Sequence, residues 1–320
     1  MRHAAPASVL ATVEPGALED AGAERISRLL ETNHILYFPR CPIALPDAAT
    51  LRFLRSELPS KLRLKNVSYH PEADRLTGLD ADEGTRARVT GVLREHLGHV
   101  TAFLRQVAPH LAAGWTIGTC SFRPIQERGR NLKAHASNEL VHIDAGAYGA
   151  THGDRILRFF ANVNEGEDRV WASKGSITDL LDRHGASAGL LGSDGRLRQR
   201  IEKGIADHAF SSLVGGLARL NPLARVLDSS PYDRAMRRLH NYMKDSDAFK
   251  GDTRGYEELR FPPFSAWAVF TDGVSHASLS GQFALVTTMI VRREALKYPQ
   301  FAPYSLLAAS ADKRSITASG

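Results

Sequence analysis

Residues 155–164 alternate between two kinds of side chain, and this alternation constrains the fold more than any other stretch. Odd positions from 157 onwards are apolar, whereas even positions from 158 onwards carry a cation, an aromatic ring and two amides, as in Leu157-Arg158-Phe159-Phe160-Ala161-Asn162-Val163-Asn164. Successive side chains of a strand point to opposite faces of the sheet. The run therefore predicts a strand with one face in an apolar core and the other towards a cavity or water.

Strand-like and helical stretches flank this run on both sides. Further strands are predicted at residues 35–38, 64–68, 115–123, 169–172, 266–270, 275–279 and 283–292. Helical spacing of apolar residues occurs at 16–32, 46–58 and 82–108, and residues 176–245 are mainly helical. Many short strands with turn signals between them are typical of a double-sheet jelly roll. We predict a mainly β protein with helices: a cupin-like double-stranded β-helix with N-terminal helices and a helical insertion.

The length of the chain allows one large domain or two smaller ones, since 320 residues can bury a sizeable core. We predict a single domain over residues 1–320. In it, residues 1–112 give helical and strand support, 113–175 and 260–295 give the jelly-roll strands, and 176–259 form the insertion. The insertion would cover the sheet or one mouth of it, and the sequence does not show whether it is a lid.

A His-x-Asp tripeptide lies in an apolar, strand-like run, His142-Ile143-Asp144. In an extended chain His142 and Asp144 project to one face, while Val141 and Ile143 point the other way. An imidazole and a carboxylate so placed supply two thirds of a 2-His-1-carboxylate triad, which binds non-haem Fe(II) and leaves coordination positions open. His276, in a later strand region, is the candidate third ligand. Because the chain has 13 His and 35 Asp plus Glu, a buried or surface histidine is the alternative.

The cation on the even face of residues 155–164 suits the co-substrate of such a metal centre. With Fe(II) bound, 2-oxoglutarate can take two open positions and O2 the third, and the metal with its co-substrate supplies the oxidising power to hydroxylate an unactivated C–H. The distal carboxylate of 2-oxoglutarate needs a cation, and the fork of an arginine meets it at two points. We predict Arg158 as this anchor, assisted by Asn162. Arg292 is the rival anchor, and a surface salt bridge is the alternative for Arg158.

Several other polar residues have weaker signals. Gln282 could turn its amide towards the co-substrate, although a simple turn explains it equally well. Lys65 and Asn66 form a polar pair that would suit an anionic substrate, and an exposed lysine is the alternative. The remaining histidines of interest are interpreted as structural or exposed: His135, His152 and His240.

The charge balance favours anionic partners. A net charge of +6 and a pI near 9.4 suit nucleic acid, an acidic membrane surface or an acidic small molecule. The arginines are scattered among acidic residues without a lysine block, so we expect no nucleic-acid binding. Two cysteines without a Cys-x-x-Cys spacing suit a reducing cytosol. We expect a cytoplasmic protein without a signal peptide or a transmembrane segment.

A set of segments occurs along the chain in an order that is familiar as a whole. They are Leu36-Tyr37-Phe38-Pro39, Lys65-Asn66-Val67-Ser68, His142-Ile143-Asp144-Ala145, Arg155-Ile156-Leu157-Arg158-Phe159, Asn162-Val163-Asn164, Arg169-Val170-Trp171, Leu239-His240, Met243-Lys244, Phe261-Pro262-Pro263, Ser275-His276-Ala277 and Leu279-Ser280-Gly281-Gln282. In this order they resemble the Kdo hydroxylase family. Its members are Fe(II)/2-oxoglutarate dioxygenases acting on 3-deoxy-D-manno-oct-2-ulosonic acid (Kdo) in the inner core of lipopolysaccharide. The similarity covers roughly residues 30–310.

The resemblance implies a fold, a metal site and a substrate. It implies a jelly-roll oxygenase with iron at His142, Asp144 and His276, with 2-oxoglutarate and O2 as co-substrates. It implies hydroxylation at carbon 3 of the sugar acid. The substrate would be an acidic lipid of the Kdo-lipid A type at the cytoplasmic face of the inner membrane, where peripheral contact with the membrane is expected. It gives no oligomeric state.

Other functions remain open from the sequence alone. Gly146-Ala147-Tyr148-Gly149 departs from the family pattern in a loop that should border the substrate, so a diverged member could hydroxylate another small molecule. Desaturation or cyclisation would use the same oxidant. A metal-binding cupin without oxygenase activity would not need Arg158 near the metal. A nucleic-acid demethylase would predict salt-sensitive DNA binding.

Overall fold

The computed structural model describes residues 8–14, 21–129, 133–146, 149–204, 207 and 229–311. Its helices are α1 (Ala21–Glu31), α2 (Ala48–Ser56), α3 (Glu83–Val107), α4 (Pro109–Ala113), α5 (Ile177–His184), α6 (Pro231–Asp245), α7 (Asp247–Gly251) and α8 (Pro303–Ala311). Its strands are β1 (Leu10–Thr12), β2 (Ile35–Phe38), β3 (Val67–His70), β4 (Arg75–Thr77), β5 (Trp115–Arg123), β6 (Arg155–Asn162), β7 (Arg169–Ser173), β8 (Glu257–Phe261), β9 (Ala266–Phe270), β10 (Ala277–Ser280) and β11 (Ala284–Val291).

The strands form two sheets that face each other. The larger sheet has the order β1-β2-β9-β6-β11-β5-β3-β4, and the smaller has the order β10-β7-β8. Apart from the parallel pair β1 and β2, neighbouring strands run antiparallel. Side chains from both sheets share one apolar cluster, in which Phe160 and Trp267 of the large sheet meet Trp171 and Phe261 of the small sheet. This is the predicted double-stranded β-helix, and the fold class is confirmed.

The predicted alternation along residues 155–164 is confirmed in β6. Leu157, Phe159 and Ala161 lie in the main apolar core, which also holds the buried side of α3. Asp82 caps α3 by accepting a hydrogen bond from the backbone N–H of Thr85 at 2.8 Å. The long helix therefore covers the outer face of the large sheet and leaves the inner face, with Arg158, towards the small sheet.

Stacked aromatic rings fill part of the space between the sheets. The rings of Phe160 and Trp267 stack with centroids 5.0 Å apart, and Trp267 stacks on Phe261 at 4.0 Å. Trp171 meets Trp267 edge-on at 5.4 Å. Aromatic pairs at such distances add to the free energy of burial. The aromatic cluster therefore forms an apolar boundary beside the polar residues of the inner face of the large sheet.

The helices of the insertion form a second apolar core, which borders the jelly roll. Leu180 of α5, Leu239 of α6 and Leu307 of α8 share an apolar cluster with Ile143, the residue between the two predicted ligands of the His-x-Asp tripeptide. The small-sheet strand β8 begins at Glu257, three residues before the predicted return of the strands at residue 260. The division into support, strands and insertion stays a prediction.

Some element boundaries differ from the sequence prediction. The strand predicted at 64–68 is observed at Val67–His70, because the N–H groups of Arg63 and Leu64 donate to the carbonyl of Gly78 in a loop. Residues 16–20 of the helix predicted at 16–32, and most of residues 205–228 in the insertion, lie outside the described residues. None of the described helices combines the length and the apolar character needed to cross a bilayer.

Candidate metal centre

Three predicted ligands converge at one point between the sheets. His142 and His276 form an isolated antiparallel bridge, in which each N–H donates to the other's carbonyl at 3.0 and 2.8 Å. The N–H of Asp144 donates to the carbonyl of Thr271 at 2.9 Å. One potential ligand atom from each of the three side chains lies within 4.8 Å of the others. The strand predicted at 142 is thus observed as a single bridge. His142 and Asp144 nevertheless project to the same side, as their spacing predicted.

Backbone carbonyls fix the orientation of both imidazoles. Nδ1 of His142 lies 2.7 Å from the carbonyl of Leu140, and Nδ1 of His276 lies 3.0 Å from the carbonyl of Val274. A carbonyl only accepts hydrogen bonds, so each Nδ1 carries the hydrogen and each Nε2 offers its lone pair. Two imidazole nitrogens and a carboxylate are the donor set of a non-haem Fe(II) site. The residues present therefore fit the metal.

The electrostatics keep the three groups in the forms that bind a metal. Burial lowers the pKa of His142 well below its ordinary value, and repulsion from His276 adds to this. Burial also lowers the pKa of His276. Burial opposes ionisation of Asp144, but opposing electrostatic effects, of which the positive charge of Arg158 is the largest, hold the pKa of this carboxyl below its usual range. Neutral imidazoles and an ionised carboxylate are the states required of ligands.

Arg158 points into this centre. Its Nη2 lies 2.9 Å from Oδ2 of Asp144, a contact between charges at the inner face of β6. Both side chains are largely buried, with 18% and 16% of their surface exposed. The rival anchor, Arg292, follows β11 and is exposed. The structure therefore places Arg158, and not Arg292, beside the three potential ligands.

A second arginine of the inner face, Arg123, was missed by the sequence reasoning. It ends β5, and its guanidinium carbon lies 5.7 Å from the ring centroid of Phe160. Burial lowers the pKa of Arg123 to about 9, and repulsion from Arg158 and Arg169 contributes. The signal was present in the sequence: Thr119, Ser121 and Arg123 share one parity along a predicted strand.

Comparison with known proteins gives the family. Residues 17–314 match the sequence model of the family described as 3-deoxy-D-manno-oct-2-ulosonic acid (Kdo) hydroxylase. The chain belongs to the Kdo hydroxylase family. No curated protein matches it in sequence.

Solved structures resemble this family member along almost its whole length. The Kdo hydroxylase KdoO, described as a non-heme Fe(II) alphaketoglutarate-dependent dioxygenase, is 25% identical in its complex with alphaketoglutarate and Fe(III). The TM-score is 0.76, with 97% of this chain and 98% of that chain covered. KdoO with cobalt(II) has 25% identity and a TM-score of 0.77, over 98% and 99% of the chains. KdoO with succinate and Fe(III) has 25% identity and a TM-score of 0.76, over 98% and 99%.

In this Kdo hydroxylase-family chain, helix α6 holds the segment that carries the His-x-Asp tripeptide. Nδ1 of His240 donates to the carbonyl of Ile143 at 2.6 Å, and its ring meets that of His142 edge-on at 5.2 Å. Lys244 donates from Nζ to the carbonyls of His135 and Ser137 at 3.1 and 3.0 Å.

At the other end of α6, Asp233 accepts a hydrogen bond from the N–H of Thr151 at 2.8 Å. The three helical side chains therefore contact backbone before, within and after the tripeptide. His240 was interpreted as structural or exposed; it is structural, and it also borders the metal centre.

Asn162 and Gln282 lie near the turns that follow β6 and β10. The side chain of Asn162 donates to the carbonyls of Glu167 and Phe261 and accepts from the N–H of Asn164, so it shapes the turn after β6. Whether it also contacts a co-substrate stays a prediction. Gln282 lies between β10 and β11, partly buried.

The remaining histidines match their interpretation. His135 is half exposed and pairs with Asp245 at 2.7 Å. His152 faces Asp233 at 3.5 Å. Residues 147–148, in the loop that departs from the family pattern, lie outside the described residues.

Proposed function

We propose that this chain is an Fe(II)/2-oxoglutarate-dependent dioxygenase that hydroxylates a Kdo-type sugar acid. The observation that carries the proposal is the convergence of His142, Asp144 and His276, with ligand atoms within 4.8 Å of one another. Family membership gives the reaction class, and the complexes of KdoO with Fe(III), alphaketoglutarate and succinate support the cofactors.

The three residues would hold iron through the Nε2 atoms of the histidines and a carboxylate oxygen of Asp144. The remaining coordination positions would be available to 2-oxoglutarate and O2, and the iron with these co-substrates supplies the oxidising power for the C–H bond. The protein's part is to fix the ligands, place the substrate carbon and exclude water. The carbonyls of Leu140 and Val274 fix the two histidine ligands, because they set the tautomer and the ring orientation of each imidazole.

Two arginines would bind the co-substrate. Arg158 and Arg123 both lie on the inner face, and repulsion from Arg158 contributes to the lowered pKa of Arg123, behind the larger effect of burial. A dicarboxylate would relieve this repulsion, and a guanidinium fork meets a carboxylate at two points. Arg158 is the proposed anchor because it contacts Asp144, one of the proposed ligands. Arg123 is the second candidate, on the side of Phe160.

Apolar side chains would keep water away from the reacting carbon. Trp171 stacks on the ring of His276 with centroids 5.2 Å apart, and it belongs to the aromatic cluster between the sheets. Ile143, between the two proposed ligands, is fully buried in the apolar cluster of the insertion. Exclusion of water strengthens the electrostatic contacts within a site and limits side reactions.

Polar groups near the proposed ligands would suit a hydroxylated anion. His240 borders the ring of His142 from α6, and we place it on the substrate side of the centre. Burial lowers the pKa of Lys244, and the charge of Lys65 adds to this. A sugar acid carries one carboxylate and many hydroxyl groups, which match cations and an imidazole nitrogen. Carbon 3 as the site of hydroxylation rests on the family alone.

An anaerobic titration tests the metal and co-substrate site. Fe(II) and 2-oxoglutarate together should give the visible charge-transfer absorption of a chelated keto acid. The His276→Ala variant should lose this absorption, because one of three protein ligands is gone, whereas His135→Ala should keep it. Equal absorption from wild type and His276→Ala would remove the proposed triad.

A further inference from the structure

A buried ion pair that the proposed function does not use lies on the inner side of the small sheet. Nη2 of Arg169 donates to Oε1 of Glu127 at 3.2 Å, and the two side chains are only 1% and 7% exposed. Arg169 precedes Trp171 by two residues in β7, so both side chains point towards the large sheet. The pair therefore belongs to the space between the sheets, where water screens charges poorly.

Further hydrogen bonds hold both members of this ion pair in place. The carboxylate oxygens of Glu127 accept from Nδ2 of Asn138 at 3.4 and 3.3 Å. The carbonyl of Gly281 accepts from the N–H of Glu127 at 3.3 Å and from Nη1 of Arg169 at 3.4 Å. Nη2 of Arg169 also donates to Oγ of Ser278 at 3.1 Å. The charge of Glu127 is therefore fixed in position, unlike that of an exposed side chain.

The ion pair lies close to Arg123, the second candidate for binding the co-substrate. Glu127 follows Arg123 by four residues, so their Cα atoms are at most about 14 Å apart. The guanidinium carbon of Arg123 lies 5.7 Å from the ring centroid of Phe160, and Phe160 meets Trp171 edge-on at 4.9 Å. Trp171 shares its face of β7 with Arg169. An anion bound at Arg123 would therefore feel the charges of the pair.

The carboxylates are shared unequally among the three arginines that face the space between the sheets. Arg158 contacts Asp144 at 2.9 Å, and Arg169 contacts Glu127 at 3.2 Å. Within the described part of the chain, Arg123 has no carboxylate at ion-pair distance, and its buried Nε has no hydrogen-bond partner. Glu127 therefore removes positive charge beside the arginine that has room for an anionic ligand.

We propose that Glu127 limits the affinity of the co-substrate site for dicarboxylates by neutralising Arg169. This rests on the proposed function, in which the inner-face arginines bind 2-oxoglutarate. A fixed buried anion repels an anionic ligand, and it repels 2-oxoglutarate and its product succinate alike. The keto acid also has its keto and carboxylate oxygens to offer to the metal, whereas succinate depends more on the arginines. Glu127 therefore favours the release of succinate and its exchange for a new co-substrate.

Titration of 2-oxoglutarate into the anaerobic Fe(II) protein, followed by visible absorption, tests this role. Glu127→Gln keeps the shape and an oxygen that can accept from Arg169, but it removes the charge. This variant should bind 2-oxoglutarate about tenfold more tightly, and succinate should compete more strongly by a similar factor. 2-Oxobutyrate lacks the distal carboxylate and carries one charge instead of two, so it should gain about threefold at most. A gain in affinity is diagnostic, because damage to the fold would weaken binding.

Three further variants separate the charge of Glu127 from its shape and from the total charge. Glu127→Asp keeps the charge and should stay close to wild type. Glu31→Gln removes another buried carboxylate, which lies in α1 and pairs with His110 at 2.7 Å, and it should leave the affinity unchanged. Asn138→Asp adds a negative charge beside Glu127 and should weaken 2-oxoglutarate binding, which keeps the test valid even where Glu127→Gln does not fold. Thermal unfolding verifies the fold of each variant.

The outcomes distinguish this proposal from the proposed function. A wild type that gives no absorption with Fe(II) and 2-oxoglutarate would remove the proposed function and the role of Glu127 together. Absorption in wild type, with unchanged or weaker affinity in Glu127→Gln, would leave the proposed function intact and make the ion pair purely structural. Equal tightening in Glu31→Gln would assign the effect to total charge and would also overturn the proposal.

Discussion

At the scale of single residues, the strand alternation read from the sequence agrees with the observed positions of the side chains around the metal centre. Alternation in an extended chain places His142 and Asp144 on one face, and the structure does so through a single bridge to His276. The same alternation puts Arg158 on the inner face of β6. Each of these placements depends on one local rule, the two-residue period of a strand, which sequence shows directly.

The co-substrate anchor can be tested by exchanging arginines. Arg158→Met should weaken 2-oxoglutarate binding by roughly 10- to 100-fold, the effect expected for a lost charge-assisted hydrogen-bond pair. Arg158→Lys should fall between that variant and wild type, because it keeps the charge near Asp144 and loses the fork. Titration of the visible absorption of the anaerobic Fe(II) protein measures the affinity. Arg292→Met is the control; weakening in that variant and not in Arg158→Met would make Arg292 the anchor.

A buried histidine outside the centre predicts how stability depends on pH. Burial in α3 lowers the pKa of His96 to about 3. The unfolded chain protonates this group near its ordinary value of 6.5, whereas the folded chain stays neutral. The contribution to stability is complete above pH 6.5 and falls as the pH drops towards 3, by roughly 1.4 kcal/mol for each pH unit.

Chemical unfolding between pH 7 and pH 4 measures this loss. His96→Leu should lose stability less steeply with acid than wild type, since the titrating group is gone. Identical slopes for His96→Leu and wild type would show that His96 is not the acid-sensitive group.

At the scale of elements, the helices and strands followed from the sequence better than the contacts between them. The helix predicted at 82–108 is observed at Glu83–Val107, and the strand predicted at 115–123 is observed at those bounds. The contacts of α6 with the segment around the His-x-Asp tripeptide could not be predicted, because His240 and Ile143 are 97 residues apart. Arg123 and the turn role of Asn162 also depend on neighbours that only the folded chain brings together.

From the contacts of α6 we predict that a buried lysine, Lys244, supports metal binding without contacting the metal. Lys244→Met removes two hydrogen bonds to the carbonyls of His135 and Ser137 and loosens the segment before His142. Cobalt(II) affinity should fall about tenfold, as for other residues that support metal ligands indirectly. Lys250→Met, an exposed lysine on the neighbouring helix α7, should keep the wild-type affinity. Unchanged affinity in Lys244→Met would limit α6 to a packing role.

At the scale of the whole molecule, the jelly roll separates a dry core from a charged centre. The outer face of the large sheet packs on helices, the aromatic cluster fills part of the space between the sheets, and the cations and potential ligands share what remains. The fold class was predictable because strand spacing and turn signals extend along the whole chain. The substrate could not be derived from the residues alone, because α6, β5 and β6 come together around the potential ligands only in the folded chain.

Oxygen-triggered turnover tests the central claim most directly. Protein loaded anaerobically with Fe(II) and 2-oxoglutarate would be exposed to air, and succinate would be followed with and without Kdo-lipid A, beside His276→Ala. The account predicts succinate that rises with the lipid, in step with hydroxylated product, and none from the variant. Succinate that is slow and indifferent to the lipid would keep the oxygenase and remove Kdo-lipid A as substrate. No succinate from the iron-loaded protein would contradict the account.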